Sequence, residues 1–429
     1  MGEKLALFWG KPVRSKPFPP HPIIGENEKR AVLKVLESGR LSTFIAAPGK
    51  NFLGGEKIRE FENLFAKYHN VKYAVAFNSA TAALHAAVVA CGVEPLKEVI
   101  IPPYTFTSTA TCALMANAIP VFADVKRDTF NIDPREIEKN ISSLSRAIIP
   151  VHLFGNPADM DEVIEIAKNH HLKVIEDCAQ APGAMYKKRL VGTIGDCGIF
   201  SFTESKTITS GEGGMLITNS KKIAEISRLV RNHGEAVIAG QPRSYRSTIL
   251  GWNYRMTEVD AAIGIEQFKR LDKLNDKRIA LASYLSKKLK KIDGLTPPFV
   301  HPNMKHVYYA YAIKYDAEKM GIPRDLFVKA LNAEGIPFSA GYVKPLYLSP
   351  IYHENRPFVY KYYTGRASYG EGICPTAELL HKKELIMTLV CRPPATFRDM
   401  DDIVEGIKKI IKNRDELMRK NKNLRCKIV

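Results

Sequence analysis

The sequence predicts an α/β protein with a large domain on a mainly parallel mixed sheet and a smaller C-terminal α+β domain. Its 429 residues exceed the roughly 250–300 residues at which a single hydrophobic core usually stops growing. From about residue 56 to 218 the hydrophobic pattern switches repeatedly between helical and strand periods, which is typical of layered α/β domains. Longer helical patterns follow. We therefore expect a large domain over residues 15–260 and a small domain over 261–429.

The elements of the large domain alternate between helices and strands. EKIREFENLFAKYH predicts a helix over 56–69, and YAVAF predicts a strand over 73–77. A helix follows over 81–90, with Gly92 just after its C-terminal end. Strands separated by helices in this way form a mainly parallel sheet. The further predicted elements are the strands EVIIP, IPVFADV, RAIIPVHLF, LKVIED, GIFSF and GGMLITN, the helical stretch TSTATCALMAN and the crossover helix MDEVIEIAKNHH.

The small domain follows a long helical pattern, TEVDAAIGIEQFKRLDKL at 257–274, which predicts a single helix. The aromatic run HVYYAYAIKY predicts a strand over 306–315, and PRDLFVKALNAEG predicts a helix with Pro323 in its first turn. A last amphipathic helix is predicted near DDIVEGIKKII. Because the sequence contains no internal repeat and no low-complexity linker, we expect the two domains to pack closely.

Composition and cysteine spacing restrict the class of protein and its compartment. With 45% hydrophobic and 25% charged residues, the chain is typical of a soluble globular protein. No window approaches the roughly 18 consecutive apolar residues that span a bilayer, and the apolar run near the start is too short for a signal peptide. The seven cysteines form no C-x-x-C pair, so neither a disulfide framework nor a metal site is expected. We expect a cytoplasmic location.

The net charge of +18 leaves three explanations open: affinity for nucleic acid, attraction of an anionic substrate or cofactor, and a solvated lysine-rich surface. Much of the excess lies in the C-terminal segment KKIIKNRDELMRKNKNLRCKIV, where basic and apolar residues alternate as on the exposed face of a helix. The lysine-rich surface is therefore the favoured explanation, and we do not expect binding to nucleic acid.

Polar residues that follow the predicted strands form a candidate site. In open α/β sheets, ligands bind beyond the carboxyl ends of the strands, so the residues just after each strand are the first to consider. After four of these strands come Ser79, Ala80 and Thr81; Tyr104; Asp177 and Gln180; and Ser201 and Lys206.

These residue types match the chemical needs of pyridoxal phosphate. A phosphate needs backbone N–H groups at a helix N-terminus together with hydroxyls, for which Thr81 and Ser201 are the candidates. The pyridine nitrogen needs a carboxylate, for which Asp177 is available, and the ring needs an aromatic face, for which Tyr104 is available. The aldehyde needs a lysine, and Lys206 is in position. Taken singly, Lys206 could be a solvated lysine, Asp177 a helix N-cap and Tyr104 a core aromatic.

At these residues the chain resembles the DegT/DnrJ/EryC1/StrS family of sugar and cyclitol aminotransferases. The segments that carry the resemblance are VIEDCAQAPGA, GIFSFTESKTITSGEGGMLITN, RNHG at 231–234 and GWNYRMTEVDAAIGIEQ, and their order and spacing resemble that family. The resemblance covers nearly the whole chain. It implies the fold-type-I architecture of pyridoxal-phosphate enzymes and assigns the mainly parallel sheet to the cofactor-binding domain.

The resemblance also implies a role for each candidate residue. Lys206 would carry the cofactor as a Schiff base, and Asp177 would pair with the pyridine nitrogen. Gln180 would lie beside the ring hydroxyl, and Asn253 would reach the phosphate from the other subunit, which implies a homodimer with shared active sites. Tyr104 would stack on the ring. The phosphate would lie among Ser79, Ala80, Thr81 and Ser201.

The implied reaction is a transamination in two halves. Glutamate or glutamine would convert pyridoxal phosphate to pyridoxamine phosphate, which would then aminate a keto-sugar, often nucleotide-linked, or a keto-cyclitol. Lys206 would move the proton between the cofactor and the substrate carbon. Tyr254, Arg255 and Tyr342 are candidates for the substrate pocket, whereas His233 is interpreted as a loop histidine and Cys178 as a small buried residue.

The sequence departs from the family pattern at two places, the first near the phosphate and the second around the lysine. Ala80 stands where the family usually has glycine, and Lys206 lies in Glu204-Ser205-Lys206-Thr207 rather than in the common histidine-proline-threonine-lysine-asparagine sequence. The second departure, together with the opening GKPVRSKPFPPHP and the segment ESGR at a helix end, resembles the branch that acts on keto-cyclitols and related rings. The alternatives are a sugar dehydratase of the same family, which would have histidine in place of Lys206, a basic DNA-binding regulator, and an inactive protein that binds the cofactor.

Overall fold

The computed structural model describes residues 4–44, 51–235, 247–354 and 356–425. A seven-stranded sheet lies at its centre, with the strand order β1-β9-β8-β5-β4-β2-β3. Only β9 runs against the others, because it pairs antiparallel with both of its neighbours, β1 and β8. The strands of this sheet are β1 (Tyr73–Phe77), β2 (Glu98–Ile101), β3 (Ile119–Phe122), β4 (Ser145–Ile148), β5 (Lys173–Asp177), β8 (Cys197–Ser201) and β9 (Gly214–Thr218). The predicted α/β fold with a mainly parallel mixed sheet is confirmed.

Helices cover the large sheet, and nearly every residue of its strands is buried. Because both faces of such a sheet are covered, its strands contain apolar runs such as residues 99–101 in β2. The helices up to the end of the large sheet region are α1 (Glu26–Glu37), α2 (Glu56–His69), α3 (Ala80–Ala90), α4 (Ser108–Met115), α5 (Pro134–Lys139), α6 (Met160–Asn169), α7 (Lys221–Arg231) and α8 (Glu258–Phe268).

The second part of the chain builds a four-stranded antiparallel sheet with the order β10-β12-β14-β13. Its strands are β10 (Leu295–Thr296), β12 (Tyr311–Tyr315), β13 (Ser339–Ala340) and β14 (Leu385–Thr388). Its helices are α9 (Leu271–Leu289), α10 (Ala317–Met320), α11 (Arg324–Ala333), α12 (Pro375–Leu379), α13 (Phe397–Lys412) and α14 (Arg414–Arg425). A third sheet joins β11 (Met304–Lys305) to β6 (Met185–Tyr186) and β7 (Arg189–Leu190). Among the helices described, none has both the length and the apolar character needed to cross a bilayer.

The hydrophobic side chains form three buried clusters. Two of them lie around the large sheet, and the third joins the helices α9, α11 and α13 to the strands β12 and β14. The third cluster includes Leu5, so the start of the chain packs with its C-terminal part. Conversely, Tyr347 and Tyr352 belong to a cluster of the large sheet. The domain ranges 15–260 and 261–429 therefore remain a prediction.

A buried carboxylate fixes the N-terminal segment to the helices of the small domain. Glu334 is completely buried and accepts hydrogen bonds from the backbone N–H groups of Ala6, at 2.8 Å, and Val13, at 3.0 Å. The Lys409 ammonium donates to the same carboxylate at 2.8 Å and to the carbonyl oxygen of Lys11 at 2.7 Å. Because a buried charge needs such partners, residues 6–13 are an integral part of this region.

Candidate active site

The candidate site lies at the edge of the large sheet where β1, β5 and β8 end and β9 begins. Ser201, the last residue of β8, pairs with Gly214, the first residue of β9. Lys206 therefore lies in the loop of a hairpin that leaves this edge and returns to it. Asp177 ends β5, which is the parallel neighbour of β8. The topology thus brings three of the predicted residues, Asp177, Ser201 and Lys206, to one edge of the sheet.

The N-terminus of α3 lies at the same edge. Ser79 is its N-cap, and the Ser79 hydroxyl accepts a hydrogen bond from the Ala82 N–H at 3.1 Å. The N–H groups of Ala80 and Thr81 make no hydrogen bond with the part of the chain that the structure describes. A Cβ atom at Gly214 would lie 2.5 Å from the Ala80 nitrogen, so glycine is needed for β9 to begin this close. Free N–H groups at a helix N-terminus fit a phosphate.

Asp177 is a buried carboxylate whose oxygens are held by two donors. The Thr109 hydroxyl donates to Oδ2 at 2.9 Å, and the Ala179 N–H donates to Oδ1 at 3.1 Å. Burial raises the pKa of Asp177, whereas these two hydrogen bonds and the positive charge of Lys206 act in the opposite direction. A protonated ring nitrogen beside this carboxylate would supply a countercharge that offsets part of the cost of burial. Asp177 therefore fits the pyridine nitrogen of pyridoxal phosphate.

Lys206 has a fixed backbone and an available amine. Its N–H donates to the Thr203 carbonyl oxygen at 3.0 Å, and its own carbonyl oxygen accepts from His21 Nε2 at 3.0 Å. The amine lies 4.6 Å from the centre of the Tyr309 ring. Within the described ranges no carboxylate forms an ion pair with Lys206. An amine that is positioned but not neutralised by an acid fits an aldehyde.

Gln180 and Tyr342 form a hydrogen-bonded pair near Asp177. Gln180 Oε1 accepts from the Phe154 N–H at 2.7 Å, and its Nε2 donates to the Tyr342 hydroxyl at 3.1 Å. The Tyr342 N–H in turn donates to the Tyr104 hydroxyl at 2.8 Å. This chain of contacts fixes Gln180, and it connects Tyr342, a candidate for the substrate pocket, with the predicted cofactor residues.

Tyr104 is packed inside the protein. Its side chain is fully buried, and its ring meets the Tyr342 ring edge-on at 6.1 Å. The stacking role of Tyr104 therefore remains a prediction. Phe106, two residues further along the same turn, is 57% exposed and is the other aromatic side chain there. Phe106 is therefore a second candidate for the stacking surface, and it is the more accessible of the two rings.

Asn253 is exposed and lies on a segment that borders Asn78, the residue before the N-cap of α3, in its own chain. Its carbonyl oxygen accepts from Asn78 Nδ2 at 3.4 Å, and the Tyr254 carbonyl oxygen accepts from the Asn78 N–H at 2.9 Å. Arg255 donates to Asn232 Oδ1 at 2.8 Å, which ties this segment to the residue before His233. Residues 236–246 lie outside the described ranges. The reach of Asn253 into another subunit therefore stays a prediction.

Three contacts of the site could not be read from the sequence. Thr109 holds Asp177, Tyr309 lies under the Lys206 amine, and His21 binds the Lys206 backbone. Each of these residues is far in sequence from its partner. Thr109 lies on α4, Tyr309 follows a left-handed residue before β12, and His21 precedes α1. No spacing rule predicts such contacts.

The arrangement suits chemistry on an aldehyde cofactor. One sheet edge provides free N–H groups for a phosphate, a buried carboxylate for a ring nitrogen and an unpaired amine for a carbonyl carbon. When bound, pyridoxal phosphate acts as an electron sink that stabilises negative charge on the substrate carbon. The residues present therefore fit this cofactor.

Comparison with known proteins gives the family. The model of the DegT/DnrJ/EryC1/StrS aminotransferase family matches residues 22–408. GDP-perosamine synthase of Caulobacter vibrioides is 38% identical over 77% of this chain and 85% of its own. A protein of Streptoalloteichus tenebrarius, provisionally assigned as an L-glutamine:3-amino-2,3-dideoxy-scyllo-inosose aminotransferase, is 35% identical over 97% of this chain and its whole length, 100%.

The fold agrees with that of solved aminotransferases. The aminotransferase from Psychrobacter cryohalolentis superimposes with a TM-score of 0.83 and 31% identity, over 92% of this chain and 99% of that one. The resemblance noted from the sequence motifs is thus confirmed over nearly the whole chain. The chain belongs to the DegT/DnrJ/EryC1/StrS aminotransferase family and is a pyridoxal-phosphate-dependent aminotransferase.

Proposed function

We propose that this protein transfers the amino group of glutamate or glutamine to the keto group of a sugar or a cyclitol. The observation that carries this proposal is the unpaired amine of Lys206 at the same sheet edge as the buried carboxylate of Asp177. The names of the relatives support the class of acceptor, because one is a GDP-perosamine synthase and another is assigned to an amino-inosose.

The proposed roles follow from the contacts of each side chain. Lys206 attaches the cofactor and, once released, moves a proton at the substrate carbon, which is a task for an amine held close to that carbon. Asp177, held by Thr109, keeps the ring nitrogen protonated. Gln180 lies beside the ring. The phosphate is held by the N-terminus of α3, at Ser79, Ala80 and Thr81, together with Ser201.

The two acceptor classes can be separated experimentally. Protein loaded with pyridoxamine phosphate is mixed with nucleotide-linked keto-sugars and with keto-cyclitols, and the visible absorbance of the pyridoxal form is followed. We expect absorbance to return with at least one acceptor, and an aminated product to be identified by mass. Glutamate and glutamine are compared in the reverse half, starting from the pyridoxal form. Loss of water from a sugar without gain of nitrogen would contradict the proposal and support a dehydratase.

A homodimer with shared sites is the proposed assembly. Asn253 is exposed and makes no side-chain hydrogen bond with the described residues of its own chain, so its amide is available to a second subunit. In such a dimer, Asn253 of one subunit would bind the phosphate held by the other, and neither active site would be complete alone.

Mixed dimers test this assembly. Subunits carrying Lys206→Ala are exchanged with subunits carrying Asn253→Ala, which gives a heterodimer with one doubly altered site and one intact site. Activity is expected to rise above that of both parents, to about half per heterodimer if the sites act independently. The test requires that Asn253→Ala alone be strongly impaired. If exchange is verified by mass and no activity returns, Asn253 acts within its own chain.

We also propose a cytoplasmic location. Six cysteines in the described residues are free thiols, and five of them are buried. Free thiols are typical of proteins kept in a reducing compartment.

A further inference from the structure

Tyr309 places an aromatic face against the amine of Lys206. The Lys206 Nζ lies 4.6 Å from the centre of the Tyr309 ring, and the tyrosine is only 8% exposed. The Tyr309 hydroxyl also lies 3.4 Å from the hydroxyl of Ser205, the residue before the lysine. Tyr309 therefore contacts both the reacting amine and the backbone segment that carries it.

The backbone on both sides of Tyr309 is bound to the turn that follows β4. On one side, the Val307 N–H donates to the Gly155 carbonyl oxygen at 3.0 Å. On the other side, the Ala310 N–H donates to the Phe154 carbonyl oxygen at 3.4 Å. These two hydrogen bonds keep the segment out of β12, which begins only after it. The position of the tyrosine is thus fixed by the part of the chain that builds the large sheet.

The residue before Tyr309 has an unfavourable backbone conformation. Tyr308 is left-handed, with φ at 51°, which is uncommon for a residue with a large side chain. Its N–H donates to His306 Nδ1 at 2.9 Å, and the His306 and Tyr308 rings stack with their centres 3.9 Å apart. Such a conformation costs free energy, persists only where surrounding contacts hold it, and is found most often at functional sites. In this segment it accompanies the placement of Tyr309 against Lys206.

An aromatic face suits an amine that has to react. The face of the ring attracts an ammonium ion, but much more weakly than a buried carboxylate would. A carboxylate at this place would keep the amine protonated, whereas an amine must lose its proton before it can attack an aldehyde. The ring can therefore hold the amine in place without preventing that loss.

We propose that Tyr309 is a positioning residue whose ring holds the Lys206 amine in place for its reaction with the cofactor aldehyde. This inference rests on the role of Lys206 in the proposed function. In that reaction a carbon–nitrogen double bond forms between Lys206 Nζ and the aldehyde carbon, and the carbonyl oxygen leaves as water with the two amine hydrogens. Tyr309 forms no bond in this step. It increases the rate by keeping the amine near the position of attack.

Two forms of the cofactor separate covalent attachment from simple binding. The full chain, freed of cofactor, is mixed with pyridoxal phosphate, and the visible absorbance of the attached form is followed by stopped flow. Its affinity for pyridoxamine phosphate, which has no aldehyde and does not react with Lys206, is measured by calorimetry. Tyr309→Leu removes the ring face, so attachment should slow about tenfold, while the affinity for pyridoxamine phosphate stays within about twofold of the parent.

Three further variants serve as controls. Tyr309→Phe keeps the ring face and loses the hydroxyl, so its attachment rate should stay within about threefold of the parent. Tyr360→Leu removes a half-buried tyrosine whose hydroxyl donates to that of Tyr369, and it should leave both measurements unchanged. Melting temperatures show whether each variant is folded. Tyr309→Met, whose side chain is longer and more adaptable, takes the place of Tyr309→Leu if the leucine variant does not fold.

Three results would overturn the proposal. One is an unchanged attachment rate in a folded variant without the ring. Another is an equal slowing in Tyr309→Phe, which would assign the effect to the hydroxyl. The third is an equal loss of affinity for pyridoxamine phosphate, which would mean that Tyr309 shapes the whole site rather than the position of the amine. If borohydride fixes the cofactor of the parent to a lysine other than Lys206, the proposed role of Lys206 fails instead, and this is seen before any variant is made.

Discussion

Replacing Lys206 with alanine should abolish covalent attachment of the cofactor and lower transamination by roughly 10²–10⁴-fold, the range for loss of a positioned acid–base group. The Lys206 amine lies over the Tyr309 ring, at the same sheet edge as Asp177, so its removal takes away the amine that is positioned for the aldehyde. The parent protein should be yellow, and borohydride treatment should fix the cofactor to one peptide. Peptide mapping then identifies the modified lysine.

The matched control is Lys221→Ala, which removes an exposed lysine from the start of α7. This variant should keep its colour, its adduct and its activity. An adduct on any lysine other than Lys206, or the absence of an adduct in the parent, would show that the central assignment is wrong.

Replacing Asp177 with asparagine should have the second-largest effect. The change removes the negative charge beside the ring nitrogen while keeping the shape of the side chain, so the fold should persist. We expect the half-transamination rate to fall by roughly 10²–10³-fold, which is the usual cost of losing one preorganised electrostatic contact to a transition state. Stopped-flow absorbance with glutamate or glutamine measures this rate.

Thr109→Val provides the comparison for Asp177→Asn. It removes the hydroxyl that donates to the Asp177 carboxylate at 2.9 Å and leaves the charge in place. Its rate should fall about tenfold at most, and less than that of the asparagine variant. A near-normal rate in Asp177→Asn would rule out the proposed role, whereas equal losses in both variants would mean that orientation rather than charge matters.

The large domain was predictable because its signals are local. The helix predicted over 56–69 and the strand over 73–77 match α2 and β1 residue for residue, since amphipathic and fully buried segments leave distinct patterns. The rule that ligands bind beyond strand ends correctly predicted that Asp177, Ser201 and Lys206 lie at one edge of the sheet. Their roles in catalysis remain predictions.

Tertiary contacts account for the elements that were predicted wrongly. The single helix expected over 257–274 is two helices, α8 and α9, because the chain turns at Arg270, whose guanidinium donates to the Ile23 carbonyl oxygen at 2.8 Å and to Glu28. Hydrophobic periodicity continues through this turn and therefore does not reveal it.

The aromatic strand expected over 306–315 begins only at Tyr311. Tyr308 has a left-handed backbone, with φ at 51°, and the Val307 N–H donates to the Gly155 carbonyl oxygen at 3.0 Å. The first half of the segment is thus bound to the large domain rather than paired in the small sheet. Pro323, expected in the first turn of α11, is its N-cap instead.

The contacts of Glu334 with the N-terminal segment cannot form until most of the chain has been synthesised. Ala6 and its acceptor Glu334 are 328 residues apart. At about 5–20 residues per second, the ribosome would need roughly 20–60 s to make the intervening chain. For most of that time the apolar Leu5 lacks the residues of α9, α11 and α13 with which it shares a buried cluster. The first residues to be synthesised thus complete their native contacts only near the end of synthesis. Chaperones that shield apolar segments on the ribosome would bind this N-terminal segment.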